Sequence, residues 1–403
     1  MAEYKQHLHT KYVNADSSAD DLPELYAERE DCCGCSSCYS ICPVSAISME
    51  PDEEGFLYPV IDAENCIRCN KCLSVCAFKH GICPSEENTL VFAARIKKRE
   101  VLKKSSSGGM FTALSDYFLE CHYPVVCSIY NYENNNVEFR IVDTYEERDA
   151  ALGSKYIQSI PRDAFKKSVS WLKDHPTGQL LFVGTGCQAE GFRNLAESEG
   201  VVERVTVVDI ICHGSPSPLI WKDYISSICE GPGENLQFIT FKDKRDGWMK
   251  PTAVAKVGDK EVSLKKYMDI FYSGCVLRPS CHKCPYATIK RNTDMTIGDY
   301  WHIEEKLPHW YDPMGNSLVL IHTDKGRALF EAISDKLDVC SSDVTRCSQM
   351  NLEHPTPASV LRNDFWRDYF RYGIRHVVQK YGSTTMANRF LRKVKRILVR
   401  MRR

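Results

Sequence analysis

Two cysteine runs carry the most specific chemistry in the chain. The first is Cys32-Cys33-Gly34-Cys35-Ser36-Ser37-Cys38-Tyr39-Ser40-Ile41-Cys42, and the second is Cys66-Ile67-Arg68-Cys69-Asn70-Lys71-Cys72-Leu73-Ser74-Val75-Cys76. Each contains C-x2-C-x2-C-x3-C. Spacers this short let one loop wrap three corners of an iron–sulfur cube, while backbone amides donate to the sulfur atoms. The fourth cysteine of each run then ligates the other cube. Cys32, Cys35, Cys38 and Cys76 are therefore assigned to one 4Fe–4S cluster, and Cys66, Cys69, Cys72 and Cys42 to a second. Zinc is the competing ion, but it takes four ligands in tetrahedral pairs rather than triplets with a distant fourth. Cys33 and Cys83 are surplus to these sets.

A third group lies in CVLRPSCHKCPYA, where Cys275, Cys281 and Cys284 offer three soft ligands. Cys212, at the end of an apolar run in DIICHG, is a fourth. Zinc held by the three with His282 or His213 is the alternative on spacing alone. The two upstream clusters favour iron–sulfur, because their electrons need a destination.

The elements that must position these residues follow from periodicity. Short β-branched runs at 90–96, 123–130, 179–186, 202–212, 294–301 and 317–323 read as mostly buried strands. Residues 111–120, 163–174 and 189–197 read as helices, and the alternation predicts an α/β core. The expected organisation is a polar tail over 1–28, the two-cluster domain over 29–84, a core over 88–345 and a helical, basic extension over 346–403. Lys97 to Ser107 reads as a basic, serine-rich linker. The chain has 403 residues, 20 cysteines, 52 Lys plus Arg and 53 Asp plus Glu. A balance near zero excludes a general polyanion binder. The beginning, MAEYKQHLHTKY, has no apolar h-region, and no run of about 18 apolar residues occurs, so a cytoplasmic metalloprotein is expected rather than a secreted disulfide scaffold.

Residues 29–80 resemble bacterial two-cluster ferredoxins, with Ala77 where a proline usually follows the last cysteine. The stretch from about 88 to 345 resembles the beta subunit family of coenzyme F-420 hydrogenases and dehydrogenases. The matching pieces are SSSGGMFTAL (105–114), GSKYIQS (153–159), GTGCQ (184–188), DIICHGSPSP (209–218), FKDKRDGW (241–248), RPSCHKCPYA (278–287) and RNTDMTIGDYW (291–301), in family order. The chain departs at Gly186, where relatives usually carry proline, and at His302, where they often carry glycine. The resemblance implies an α+β ferredoxin-like N-terminal domain, a mixed α/β flavin-binding core and a helical C-terminal extension. It implies FAD beside a third 4Fe–4S cluster held by Cys212, Cys275, Cys281 and Cys284.

The residues offer places for such a flavin, although no G-x-G-x-x-G fingerprint is present. Ser107, Gly108 and Gly109 precede a helical pattern containing Thr112, where backbone amides can approach a phosphate. A plain capped turn is the alternative. Thr185 and Gln188 of GTGCQ stand at a strand-to-helix turn, a second contact point. Lys155 can pair with a phosphate or the ring's electron-rich edge, or simply be a solvated charge. Asp209 and His213 flank Cys212, with His213 a proton relay or an ordinary hydrogen-bonded histidine.

Arg371–Arg403 contains 11 Lys plus Arg and no Asp or Glu. Phe390, Leu391, Val394, Ile397, Leu398 and Met401 recur at helical spacing. Such a helix can lie on an anionic membrane surface, here the inner face, or pack on a protein. No nucleic-acid-reading surface accompanies it. The reading is an iron–sulfur flavoprotein oxidoreductase that exchanges electrons with a redox partner protein or a small two-electron donor or acceptor. The alternative is a non-catalytic electron-transfer or accessory subunit in membrane-associated surface-polysaccharide biosynthesis.

Overall fold

The computed structural model describes residues 22–80, 89–229, 231 and 235–382. Cys83, residues 1–21 and the stripe from Phe390 to Met401 lie outside them.

The cysteine runs fold around an antiparallel hairpin of β1 (Ile47–Pro51) and β2 (Leu57–Ile61), with Ile47 opposite Ile61. Their repeat is also a repeat of backbone. Gly34 and Ser36 have φ of 68° and 62°, and Arg68 and Asn70, 34 residues on, have 56° and 59°. Each loop thus turns through the left-handed region twice, then enters a short helix, Ser37–Ile41 or Lys71–Ser74. Of the expected tail, Leu25 packs on the core and Tyr26 sits 5.3 Å from the Tyr58 ring.

The core is a nine-stranded mixed sheet. Its strands are β3 (Leu90–Ile96), β4 (Val125–Asn131), β5 (Asn136–Val142), β6 (Ser159–Ile160), β7 (Leu180–Thr185), β8 (Val205–Ile210), β12 (Met295–Asp299), β13 (Ser317–Ile321) and β14 (Leu337–Ser342). Their order is β14-β3-β13-β12-β8-β7-β4-β5-β6. The central four, β12, β8, β7 and β4, run parallel. Leu180 to Val183 and Val205 to Asp209 are buried throughout, because helices cover both faces of a parallel sheet. Met110–Glu120 and Gly186–Ser198 are two of those helices.

A second sheet, β9 (Leu236–Asp243), β10 (Thr252–Val257) and β11 (Lys260–Ser263), is antiparallel. It shares an aromatic core, including Trp221, Tyr267 and Phe365, with the helices Pro218–Ile228, Lys265–Tyr272 and Arg362–Tyr381. Gly373, at φ 76°, breaks the last helix. Among the described residues, no helix is long and apolar enough to cross a membrane.

The expected linker from Lys97 to Ser107 is part of the core instead. Arg99–Lys104 is helical and buries Leu102 completely, and Ser107 Oγ donates to the Asn316 carbonyl at 2.8 Å. The basic side chains that suggested a linker occupy the solvent side of that helix turn.

Candidate functional site

Cys32, Cys35, Cys38 and Cys76 face one hollow, and Cys42, Cys66, Cys69 and Cys72 face its neighbour, with Cys72 on the wall between them. The crossing of the fourth ligands follows from the geometry of two pseudo-equivalent loops facing each other. Amides point at sulfur in both: Gly34 N–H donates to Cys32 Sγ at 3.4 Å, and Ala46 N–H to Cys42 Sγ at 3.2 Å. Burial pushes the Cys32 thiol up to about 11 and Cys38 well above the usual range. As free thiols these two stay protonated at neutral pH, whereas hydrogen bonds from Cys33 and Ser37 bring Cys35 down to about 6. Bound metal deprotonates a coordinating thiol outright, so this donor set fits a cluster.

The third group differs from expectation in one member. Burial, then Cys281, Cys187 and Cys284, raises the Cys212 thiol, and Cys187 bears in the same way on Cys281 and Cys284. Cys187, Cys212, Cys281 and Cys284 therefore lie near one another. Cys275 is set apart: it is fully buried beside Trp221 and Trp366, and its Sγ donates to Ser359 Oγ at 3.3 Å. Its backbone carbonyl accepts from Trp366 Nε1 at 3.1 Å, which fixes it in the aromatic core. Cys187 was visible in GTGCQ, at the carboxyl end of a buried strand like Cys212. In sequence it stands alone, far from the compact group of Cys275, Cys281 and Cys284.

Zinc with Zn–S near 2.3 Å needs thiolates about 3.8 Å apart. Among the described residues, the one group of three or more ligand atoms that close together is His302, Glu304 and Glu305, all exposed. Among the described residues, no three cysteines have sulfur atoms all within 4.8 Å of one another. His213 and His282 both turn toward Thr356, their Nδ1 atoms 3.4 Å from its hydroxyl and 2.9 Å from its carbonyl.

A cavity of about 270 Å³ opens at the carboxyl ends of β7, β8 and β12. That is where open α/β sheets present ligands. Ser107, Gly109, Thr112, Lys155, Thr185, Gln188, Cys212 and His213 line it. Met110, Phe111, Ile210, Ile211 and Phe271 supply apolar wall. Lys155 donates to the carbonyls of Leu152 and Gly153 at 3.2 Å, and burial brings its ammonium down to about 8. His213 lines the cavity, and burial brings its imidazolium down despite a hydrogen bond with Asn351. A serine-rich turn with a half-buried lysine at one end and apolar walls beyond fits a nucleotide-like group with an anionic arm.

Two expected contacts serve the scaffold instead. Gly108 lies behind the wall: its N–H donates to Ser317 Oγ at 2.9 Å, and an added Cβ would come 2.4 Å from the Ala94 carbonyl. Asp209 is wholly buried and ion-paired with Arg291, with Thr293 donating at 3.3 Å. Burial raises its carboxyl despite that cation.

The two sulfur-rich regions meet directly. Cys33, Cys35, Ala77 and Tyr286 form a buried cluster against Cys187, Cys284 and Phe78, with the Cys33 and Cys187 side chains hydrogen bonded. The Tyr286 hydroxyl donates to the Ala77 carbonyl.

Fold and cysteine geometry thus define an iron–sulfur protein built on a mixed α/β sheet. Residues 31–80 match the 4Fe-4S dicluster domain, and residues 177–346 match the family described as coenzyme F420 hydrogenase/dehydrogenase, C terminus of the beta subunit. The chain thus joins an iron–sulfur dicluster domain to a region similar to the C terminus of that beta subunit. No curated protein matches it. Among solved structures, a chain of the F420-reducing [NiFe] hydrogenase complex from Methanosarcina barkeri is similar at 19% identity and TM-score 0.43, covering 72% of this chain and 90% of that one.

Proposed function

We propose that the protein is an iron–sulfur flavoprotein oxidoreductase with three 4Fe–4S clusters and FAD. Cys32, Cys35, Cys38 and Cys76 would hold the first cluster, Cys42, Cys66, Cys69 and Cys72 the second, and Cys187, Cys212, Cys281 and Cys284 the third. The single observation that carries the reading is continuity. Cys33 and Cys35 pack against Cys187 and Cys284, and Cys212 of that same group lines the cavity. FAD bound there would supply the exchange between one-electron and two-electron transfer. Gly109, the serine turn and Lys155 would bind its anionic arm. Phe271 and Ile211 would exclude water from the ring, and His213 on the same wall would hold or accept a proton. The two-electron partner is a small soluble donor or acceptor, of which a reduced deazaflavin is the class that the related beta subunits suggest.

The second reading, a carrier subunit serving a protein partner, is favoured by one surface. Cys69 is exposed, with Val44 and Ile67 42% and 59% exposed beside it, so the second cluster's rim is open to a docking protein.

Iron, acid-labile sulfide and flavin content of anaerobically purified protein tests the reading. Three clusters' worth of iron and one flavin are expected. Cys187→Ser should lose one cluster's worth of iron, and Cys275→Ser none. Loss from Cys275→Ser but not Cys187→Ser would sink the ligand assignment. Full iron without flavin would leave the carrier reading.

A further inference from the structure

The repeat offers an internal comparison. Gly34 and Arg68 occupy the same register, both at positive φ, so the backbone turn by itself does not demand glycine there. What differs is the neighbour. A Cβ on Gly34 would come 2.9 Å from Arg278 Nη1 and 3.0 Å from the Leu57 carbonyl. The glycine makes room for a guanidinium that the core inserts into the first cysteine loop.

Arg278 is 1% exposed. Its backbone N–H donates to the Ser215 carbonyl at 2.8 Å, next to the Ser215 N–H that donates to Cys281 Sγ at 3.2 Å. The side chain crosses to the ferredoxin loop. Nε donates to the Cys32 carbonyl at 2.8 Å and Nη2 to the Leu57 carbonyl at 3.0 Å, with Cys32 Sγ 3.7 Å away. The guanidinium lies 4.1 Å from the Tyr58 ring centroid. Nη1 has no hydrogen-bond partner, and among the described residues no carboxylate lies within ion-pair distance of Arg278. A buried charge left this way is strongly unfavourable unless something anionic faces it. A thiolate-ligated cluster is anionic, and more so when reduced. Arg68, at the equivalent position, is exposed, where water and salt screen its charge.

We propose that Arg278 is a positioning residue that raises the reduction potential of the Cys32, Cys35, Cys38 and Cys76 cluster above that of the Cys42, Cys66, Cys69 and Cys72 cluster. Reduction adds one electron from the neighbouring, solvent-exposed cluster. No proton needs to move, because the guanidinium already carries the compensating charge. Cluster potential follows net charge, hydrogen bonding and exposure. Exposure alone would favour reduction of the open cluster first; the buried cation reverses that order and draws the electron inward. The inference rests on the two-cluster reading but not on the third cluster or FAD.

The test is an electron paramagnetic resonance redox titration of the full chain, with iron and sulfide measured on every sample. Cys69→Ser assigns the exposed cluster's signal. In the unmutated protein the Cys32 cluster should reduce at the higher potential. Arg278→Met should shift its one-electron equilibrium toward oxidised by about tenfold or more, which is about 59 mV, while the exposed cluster stays put. Arg278→Lys, which keeps a charge but loses the fork, should shift it by less than about threefold. A merely structural clamp predicts Lys and Met alike. The proposal is overturned by full iron with an unmoved potential in Arg278→Met, or by an exposed cluster of higher potential in the unmutated protein. The second outcome holds even where Arg278→Met does not fold. Absence of iron from the unmutated protein would instead refute the two-cluster reading.

Discussion

His322 ends β13 in a buried position, and the price of its burial is read in pH. Its Nε2 is 2.9 Å from Thr296 Oγ1 and its Nδ1 3.2 Å from Thr89 Oγ1. Burial, with Arg291 adding, brings its imidazolium down to about 3. An unfolded histidine titrates near 6.5. Below that pH the unfolded chain takes up a proton that the folded chain refuses, so stability is complete above about 6.5 and is lost as pH falls toward 3. His322→Gln removes this proton. Its denaturant-derived stability relative to the unmutated protein should improve by up to about 1.4 kcal/mol per pH unit between about pH 6 and pH 4. A difference independent of pH would show that His322 is not held neutral. At this scale the sequence is uneven. Cysteine spacing is a local property, so both ferredoxin sets could be read from it. Which thiols of the core converge is decided by strand order, so Cys187 could not be told from Cys275. Arg278 is one basic residue in a cysteine-rich segment, and nothing local reveals that it reaches a loop 246 positions away.

The strands whose apolar residues run almost continuously were legible, both the parallel β4, β7 and β8 and the antiparallel β3 and β13. β3, β7 and β13 fall within a residue or two of the periodicity reading. Strands that alternate or lie at edges, such as β5, β9 and β11, were not, because polar side chains dilute the signal. The turn before the helix Met110–Glu120 shows how element packing builds the cavity. Gly109 is at φ 88°, and a Cβ on it would meet Ile96 Cγ2 at 2.7 Å. Gly108 lets the turn lie against β3 and β13, its carbonyl accepting from Ile96 N–H at 2.8 Å. Gly108→Ala forces a Cβ into two backbones, the Ala94 carbonyl and the Ser317 amide. Neither is a side-chain tip that can swing aside. The variant should lose about 1–3 kcal/mol of stability and displace Ser107 from the cavity wall. Flavin content should then drop while iron content holds. Equal loss of iron and flavin would mean that the turn supports the whole core rather than the cavity.

At the scale of the whole molecule, the ferredoxin hairpin is held from two sides, by the core through Arg278 and by the C-terminal helix through Arg362. Arg362 Nη1 donates to Glu54 Oε1 at 2.7 Å, its Nη2 reaches the other oxygen, and Nη2 also donates to the Leu277 carbonyl at 3.2 Å. The two side chains are only 14% and 13% exposed. Burial raises the Glu54 carboxyl, with Arg362 opposing. Ser217 Oγ donates to the Glu54 carbonyl at the start of the helix Pro218–Ile228, and a Cβ on Gly55 would strike Leu219, so the hairpin tip is seated against two helices at once. Removing the cation leaves a buried carboxylate with no partner. Arg362→Gln should therefore cost about 3 kcal/mol, the low end for a broken buried pair. The double variant Arg362→Gln, Glu54→Gln should recover part of that cost, because two neutral amides can hydrogen bond where one carboxylate stood alone. If the hairpin is seated as a unit, loss of cluster absorbance should move to lower temperature with the single variant and partly return in the double. Additive effects of Arg362→Gln and Glu54→Gln would show that the pair does not couple the C-terminal helix to the clusters.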